Sequence, residues 1–219
     1  GIKALAGVAG KDITRITATD IGFILGPRLN AAGRMDSALK AYDLLVTDSV
    51  ERAGILAQEL DNQNNERQKA TKKAQELAHE QIGEEQAINL ITAFFKVPTE
   101  GAQDFDCDGC LPGEETYPGI VGLVAAKLTE YYYRPAIAGV VENDVCRASC
   151  RSIVEFHITE ALDECADLLV RHGGHAMAAG FTVKNENRNA LVEKLNTIAD
   201  RQLGEQELKP MLKADLEVP

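Results

Sequence analysis

Residues 172–183 read His172-Gly173-Gly174-His175-Ala176-Met177-Ala178-Ala179-Gly180-Phe181-Thr182-Val183, and no other stretch limits the fold as tightly. Two adjacent glycines admit positive φ and let a backbone approach a ligand without a Cβ in the way. Consecutive N–H groups in a glycine turn form a concavity that takes anions, and His175 places a further donor beside it. Small residues, a third glycine and then Phe181-Thr182-Val183 follow, as where a strand enters a core. Two readings fit. One is a phosphate or carboxylate cradle at the mouth of an α/β domain. The other is a glycine C-cap ending a preceding helix, with His175 incidental.

Hydrophobic period and punctuation divide the chain. They predict a short helix after Thr19-Asp20, a Gly- and Ala-rich loop over Gly26–Met35, and a helix over 37–46. Asp48 is the expected N-cap of the next helix, with Glu51 as an approximate capping box. Val50, Ala53, Leu56, Ala57 and Leu60 give that helix one apolar stripe. From Asp61 to Glu76 the stripe dissolves into polar residues. A helix polar all round bridges domains through solvent, and this one should end near Gly83.

Beyond it strands and helices alternate, an α/β pattern. The expected elements are a strand over 88–95, a helix over 119–132 ended by Arg134-Pro135, and a strand over 136–141. A tight turn at Asn143-Asp144 leads into a strand over 145–152. Thr159 should cap a helix burying Leu162, Ala166, Leu169 and Val170; a strand at 181–183 and a helix over 190–203 follow.

A formal charge of −11 over 219 residues argues against non-specific coating of nucleic acid, which requires a basic face. Contact with a phosphate backbone is therefore either focal, through a few arginines, or made by a basic channel outside this chain. No apolar run is long enough to span a membrane, and the composition fits a cytoplasmic protein. Five cysteines, an odd number, point to reduced thiols. Cys107-x-x-Cys110 with Cys146-x-x-x-Cys150 is a poor zinc spacing. Asp104-Phe105-Asp106-Cys107-Asp108-Gly109 with Glu115 matches a calcium loop at its liganding positions. Pro98 upstream and Pro112, Gly113 and Pro118 downstream interrupt the flanking helices an EF-hand needs, so loop 104–115 reads first as an acidic surface loop, with a weak isolated divalent site as the alternative.

Four blocks carry a family resemblance. Gly173-Gly174-His175-Ala176-Met177-Ala178-Ala179-Gly180 resembles the signature of the DHH-associated domain, the second half of the DHH phosphoesterases. Gly26-Pro27-Arg28-Leu29-Asn30-Ala31-Ala32-Gly33-Arg34-Met35 resembles the motif closing the first domain in the RecJ branch. Ala148-Ser149-Cys150-Arg151-Ser152 resembles that branch's Ser-x-Arg-Ser segment, and residues 118–128 its helix-entry pattern. By this resemblance 1–47 is the C-terminal remainder of a DHH domain and 48–83 a long polar connecting helix. Residues 84–205 form a mixed-sheet α/β DHH-associated substrate-binding domain, and 206–219 begin a following barrel domain or tail.

The resemblance implies a single-strand-specific DNA exonuclease working from 5′ to 3′ in repair and recombination. Its hydrolysis uses two ions, Mn2+ or Mg2+, held mainly by an N-terminal domain with an Asp-His-His triplet. That triplet is missing here, and His79, His157, His172 and His175 do not adjoin a usable carboxylate pair. The chain is thus expected to contain no catalytic group and no metal ligand, and to be inactive alone. Expected partners are single-stranded DNA with a 5′ end, and a single-strand-binding protein or helicase.

Ser149 and Arg151, two apart on a strand, face one side. A guanidinium that forks onto two oxygens beside a hydroxyl suits a terminal phosphate; the plain alternative is a surface ion pair beside a capping serine. The resemblance favours the phosphate pocket. Small neighbours around Arg34 and Arg28 admit a ligand backbone, with Arg34 the better candidate for phosphate contact and Arg28 more often a buried strut to the acidic side chains around it. Asn30 would cap or orient that loop. His175 would donate to a phosphate, or be a core histidine satisfied by a carbonyl. The predicted substrate-binding set is Gly173, Gly174, His175, Arg151, Ser149, Arg34, Arg28 and Asn30. Tyr117 stands where many relatives carry His. An oligonucleotide or cyclic-dinucleotide phosphodiesterase, and a catalytically dead nucleic-acid or replication-protein scaffold, are the alternative functions.

Overall fold

The structure, a computed structural model, describes residues 1–82, 88–97, 110, 116–142, 144–204 and 206–211. Loop 104–115 apart from Cys110, Gly83, Asn143 and residues 212–219 lie outside these. A helical layer comes first, with α1 (Ile2–Val8) and α2 (Ala18–Asp20). Thr17 and Asp20 form a capping box: the Asp20 carboxylate accepts from the Thr17 N–H and hydroxyl, and Thr17 Oγ1 accepts from Asp20 N–H. These bonds hold the Asp20 carboxyl down at about 2.

A π-helical turn, Ile21–Leu25, leads directly into α3 (Gly26–Met35). The loop expected here is therefore a helix. Pro27 sits in its first turn, its fixed φ suited to the helix, and Ala31 and Ala32 are buried beneath it. α4 (Leu39–Val46) and α5 (Val50–Ile82) complete the layer. Ser49, rather than Asp48, caps α5, its Oγ accepting from Arg52 N–H at 3.2 Å.

The 33 residues of α5 span about 50 Å. Ala53, Leu56, Ala57 and Leu60 pack with Leu5, Leu25 and Leu44 of the helical layer. Farther along, Ala74 and Ala78 are buried against the sheet and its covering helix. The polar half is thus not solvated all round: alanines too weakly apolar to mark a stripe continue it, and Asn64 between them is 1% exposed.

The α/β part begins with β1 (Ile91–Lys96), α6 (Val121–Tyr132), β2 (Ala136–Glu142) and β3 (Val145–Arg151). It continues through α7 (Ile158–Asp163), β4 (Leu169–His175), β5 (Ala178–Lys184) and α8 (Asn185–Leu203). The sheet order is β1-β2-β3-β5-β4, with β1 and β2 parallel and the other pairs antiparallel. On one face Phe94, Ile137, Cys146, Phe181 and Val183 meet Leu162 of α7 and Leu191 and Leu195 of α8. On the other, Val124 and Leu128 of α6 cover Phe95, Ala136 and Ala138.

Two expectations fail around the glycine pair. α7 ends at Asp163, and Leu169 and Val170 belong to β4, not to a helix. His157, not Thr159, caps α7, its Nδ1 accepting from Glu160 N–H at 3.2 Å. Gly173 and Gly174 likewise lie inside β4, so they form neither a turn cradle nor a C-cap; the chain reverses at Ala176-Met177. Pairing of β4 with β5 overrides the local helical spacing, as tertiary context does for weak propensities.

Cys146 and Cys150 share one face of β3, four residues and about 13 Å apart, so they cannot bind one zinc ion. Burial pushes both thiols up to about 12. Cys110 is disulfide-bonded, contrary to the expected reduced state. Neither Cys146 nor Cys150 should react with Ellman's reagent at pH 8 in the folded chain, because the attacking species is the thiolate. Denaturant should release both, and rapid labelling of the native protein would contradict their burial.

Candidate functional site

Three segments far apart in sequence meet at the N-terminal end of α6. A Cβ on Gly119 would overlap the Arg34 carbonyl, so only glycine permits this approach of α6 to the end of α3. Arg34 Nη1 reaches back across the seam and donates to Gly119 O at 3.1 Å. Three residues on, a Cβ on Gly122 would lie 3.5 Å from both Ser149 Oγ and Arg151 Nη2. Arg34 and the Ser149–Arg151 pair thus flank positions one turn apart along α6, about 5 Å. Ile120, the N-cap, supplies no side-chain cap. A helix end so placed favours an anion.

The sheet extends the same surface. Ser149 and Arg151 project from β3 on the face opposite the Cys146–Cys150 core. In register, Ser149 lies beside Gly180, which lies beside Gly173. The next row is Arg151, Ala178 and His175. The first row has no side chain beyond Ser149, leaving a trough that runs to the exposed edge strand. Gly173 has open space where a Cβ would stand. Gly174 differs: its φ of +153° and overlap with Ala178 and Ala179 make it a requirement of the hairpin. Thr159 Oγ1 donates to His175 O at 2.9 Å, and Ser152 N–H to Met177 O at 3.0 Å, fixing the turn.

The predicted residues divide accordingly. Arg34, Ser149, Arg151, Gly173 and His175 lie along one surface, and Gly174 shapes it. Arg28 is elsewhere: its Nε donates to Asp61 at 2.8 Å and its Nη1 to Ile24 O, so it is a strut between α3 and α5. Asn30 is exposed on α3 and orients no loop, since the segment is helical. Tyr117 is 36% exposed beside Gly119.

Sequence reasoning missed three arginines. Arg147 and Arg171 flank Thr182 in the row beyond Gly180, and Arg171 Nε donates to Thr182 Oγ1 at 3.2 Å. Strand alternation from Ser149 and Arg151 would have found Arg147. Arg67 of α5 neighbours Arg34; burial first, and then Arg34's charge, lower its pKa. Nothing in the polar run marks it. No group of three His, Cys, Asp or Glu among the described residues could hold a metal ion. His79 bonds Tyr132 at 2.7 Å and His172 bonds Asp163 at 2.7 Å. No described helix is long and apolar enough to cross a membrane.

Residues 107–201 match the DHHA1 domain family. The chain is 38% identical over 218 residues to the single-stranded-DNA-specific exonuclease RecJ of Bacillus subtilis, covering 99% of this chain and 26% of that protein. Identity to the Escherichia coli protein of the same name is 36% over 197 residues, covering 85% of this chain and 31% of the relative. RecJ from Thermus thermophilus in complex with Mn2+ superposes with a TM-score of 0.72 at 27% identity, over 91% of this chain and 27% of that one. The chain therefore spans about a quarter to a third of the length of these relatives.

Replacing the close-approach glycines tests the seam and the hairpin. Gly119→Ala and Gly174→Ala should each cost about 3 kcal/mol, by overpacking and, at Gly174, backbone strain. Gly173→Ala should change stability by less than about 1 kcal/mol. Urea unfolding of the three variants measures this, and equal effects at 173 and 174 would contradict the geometry.

Proposed function

We propose that this chain, which belongs to the RecJ branch of the DHH phosphoesterases and carries that branch's DHHA1 domain, grips the substrate of a single-strand-specific 5′-to-3′ DNA exonuclease. The observation that carries this reading is the convergence of Arg34, Ser149 and Arg151 on the uncapped start of α6. Arg151 forks onto two oxygens of the terminal 5′ phosphate. Ser149 donates to a third. The strand then follows the trough over Gly180 and Gly173, with His175 donating to a backbone phosphate.

In this reading phosphodiester hydrolysis uses a water activated by divalent ions, Mn2+ or Mg2+. The ligands for these ions belong, in the same reading, mainly to the DHH domain and not to the substrate-binding part. What this chain contributes is position: a fixed 5′ end decides which phosphodiester bond is presented for cleavage. Residues 1–47 then belong to the metal-binding domain, 48–83 connect, and 84–205 hold the strand. A single-strand-binding protein or helicase would deliver the strand. The trough opens at the sheet edge, which suits a continuing strand better than a dinucleotide.

Arg151→Ala should reduce the preference for a 5′-phosphorylated over a 5′-hydroxyl oligodeoxynucleotide about tenfold, the worth of a charge-assisted pair. Fluorescence-anisotropy titrations of the two oligonucleotides measure this; an unchanged ratio would remove Arg151 as the anchor. The purified chain supplied with Mn2+ or Mg2+ should release no nucleotide from single-stranded DNA. Cleavage would require metal ligands that this reading does not contain.

A further inference from the structure

We infer that a cleft along α6 receives the base of the 5′-terminal nucleotide, a subsite separate from the phosphate seat at Ser149 and Arg151. The inference rests on the reading above and extends it from the phosphate to the nucleoside. Gly122, Ala126, Thr129 and Tyr133 recur at helical spacing and share one face of α6 and its C-cap. Gly122 is the member that lies against Ser149 and Arg151. From Ala126 to Tyr133 the same face borders an open cleft of about 470 Å³. Ile153, Val154 and Met177 line it as well, and so does Arg151, which the cleft shares with the phosphate seat. Its size and its mostly apolar walls with a few polar groups are those of a small-ligand site.

The lining gives the chemistry of the occupant. Val154 and Met177 remain 81% and 44% exposed beside the buried Ile153. A thioether packs well against an aromatic ring, and Tyr133 adds a ring of its own. Among the described residues lining the cleft, Arg151 is the cation and Glu130 the acid. At the Tyr133 end, Glu155 accepts from the Tyr133 hydroxyl at 3.2 Å. These carboxylates oppose a second phosphate, so the part of a ligand that enters is uncharged and apolar, while the part at Arg151 is anionic. The 5′ end of a strand divides in that way, with its phosphate on one side of the sugar and its base on the other. Ala126 stands one turn, about 6 Å, beyond Gly122, within the reach of that sugar.

The walls are held in place before any ligand arrives, which lowers the cost of binding. Thr129 Oγ1 donates to Arg151 O at 3.4 Å and ties α6 to the end of β3. Ser152 N–H donates to Met177 O at 3.0 Å, and Ser152 Oγ to Phe156 O at 2.6 Å. Ala178 lines the cleft and also belongs to the row from Arg151 to His175. Cleft and trough therefore share an edge, where the terminal base parts from the rest of the strand.

A 5′-phosphorylated oligothymidylate and the same strand with an abasic first residue are compared by fluorescence anisotropy. Loss of the terminal base should weaken binding about tenfold. Val154→Ser and Met177→Ser together, at two exposed positions, should shrink that penalty to about threefold by removing apolar wall. An equal penalty in both chains would overturn the subsite. Equal affinity of the unaltered chain for the two strands, with the preference for a 5′ phosphate intact, would overturn the cleft and leave the strand-gripping reading standing.

A photochemical measurement on the unaltered chain needs no variant. 5-Iodouracil at the first position, irradiated in the complex and located by mass spectrometry, should attach to Tyr133 or Met177. Attachment confined to other residues would overturn the subsite. If the chain binds no oligonucleotide, the strand-gripping reading fails and 5-iodo-2′-deoxyuridine 5′-monophosphate decides the cleft alone. Attachment of that nucleotide at Tyr133 or Met177 supports the subsite, and no attachment there overturns it.

Discussion

At Gly119 the start of α6 lies against the Arg34 carbonyl with no room for a Cβ, and the rest of the candidate site is placed by that approach. The helical layer and the sheet come together there through backbone, not through interdigitated side chains. α6 then crosses β3 with Gly122 over Ser149 and Arg151. Gly119 therefore sets the separation between α3 and the start of α6. A side chain there would be read out as a displacement of Arg34 from Arg151.

That geometry matters because the chain is acidic overall. The field of a −11 protein opposes the approach of a polyanion, yet at physiological ionic strength charges farther than about 8 Å are largely screened. Attraction has to be won within that radius. Arg34 and Arg151, the α6 terminus and Arg171 at the sheet edge provide the local positive charge. Association should consequently be more sensitive to single arginines than to net charge.

Much of this was legible in the sequence, and the exceptions have physical causes. β2 follows from an uninterrupted run of β-branched and small apolar residues, β3 from the alternation of Cys146, Ala148 and Cys150 with Arg147, Ser149 and Arg151, and α5 from its spacing and polar caps. Arg28 as a strut was one of two readings weighed, and Asp61 decides it. Gly26–Met35 was illegible because Gly-Pro punctuates loops more often than it starts helices, whereas here it continues a helix already begun. β4 was illegible because an edge strand of Arg, His and Gly has no buried face to alternate. Its identity comes from β5, a partner that local spacing cannot supply. The long helix hid both its buried alanines and Arg67 for one reason: residues that pack by smallness or by unpaired charge leave no periodic mark.

α5 has a mechanical consequence of its own. One half is embedded in the helical layer, the other under the sheet, with no proline in its 33 residues to let it bend. Such a rod works as a lever. A tilt of about 5° about its embedded half would carry the far end by about 3 Å. Small rearrangements where α5 begins would thus be transmitted, magnified, to the sheet.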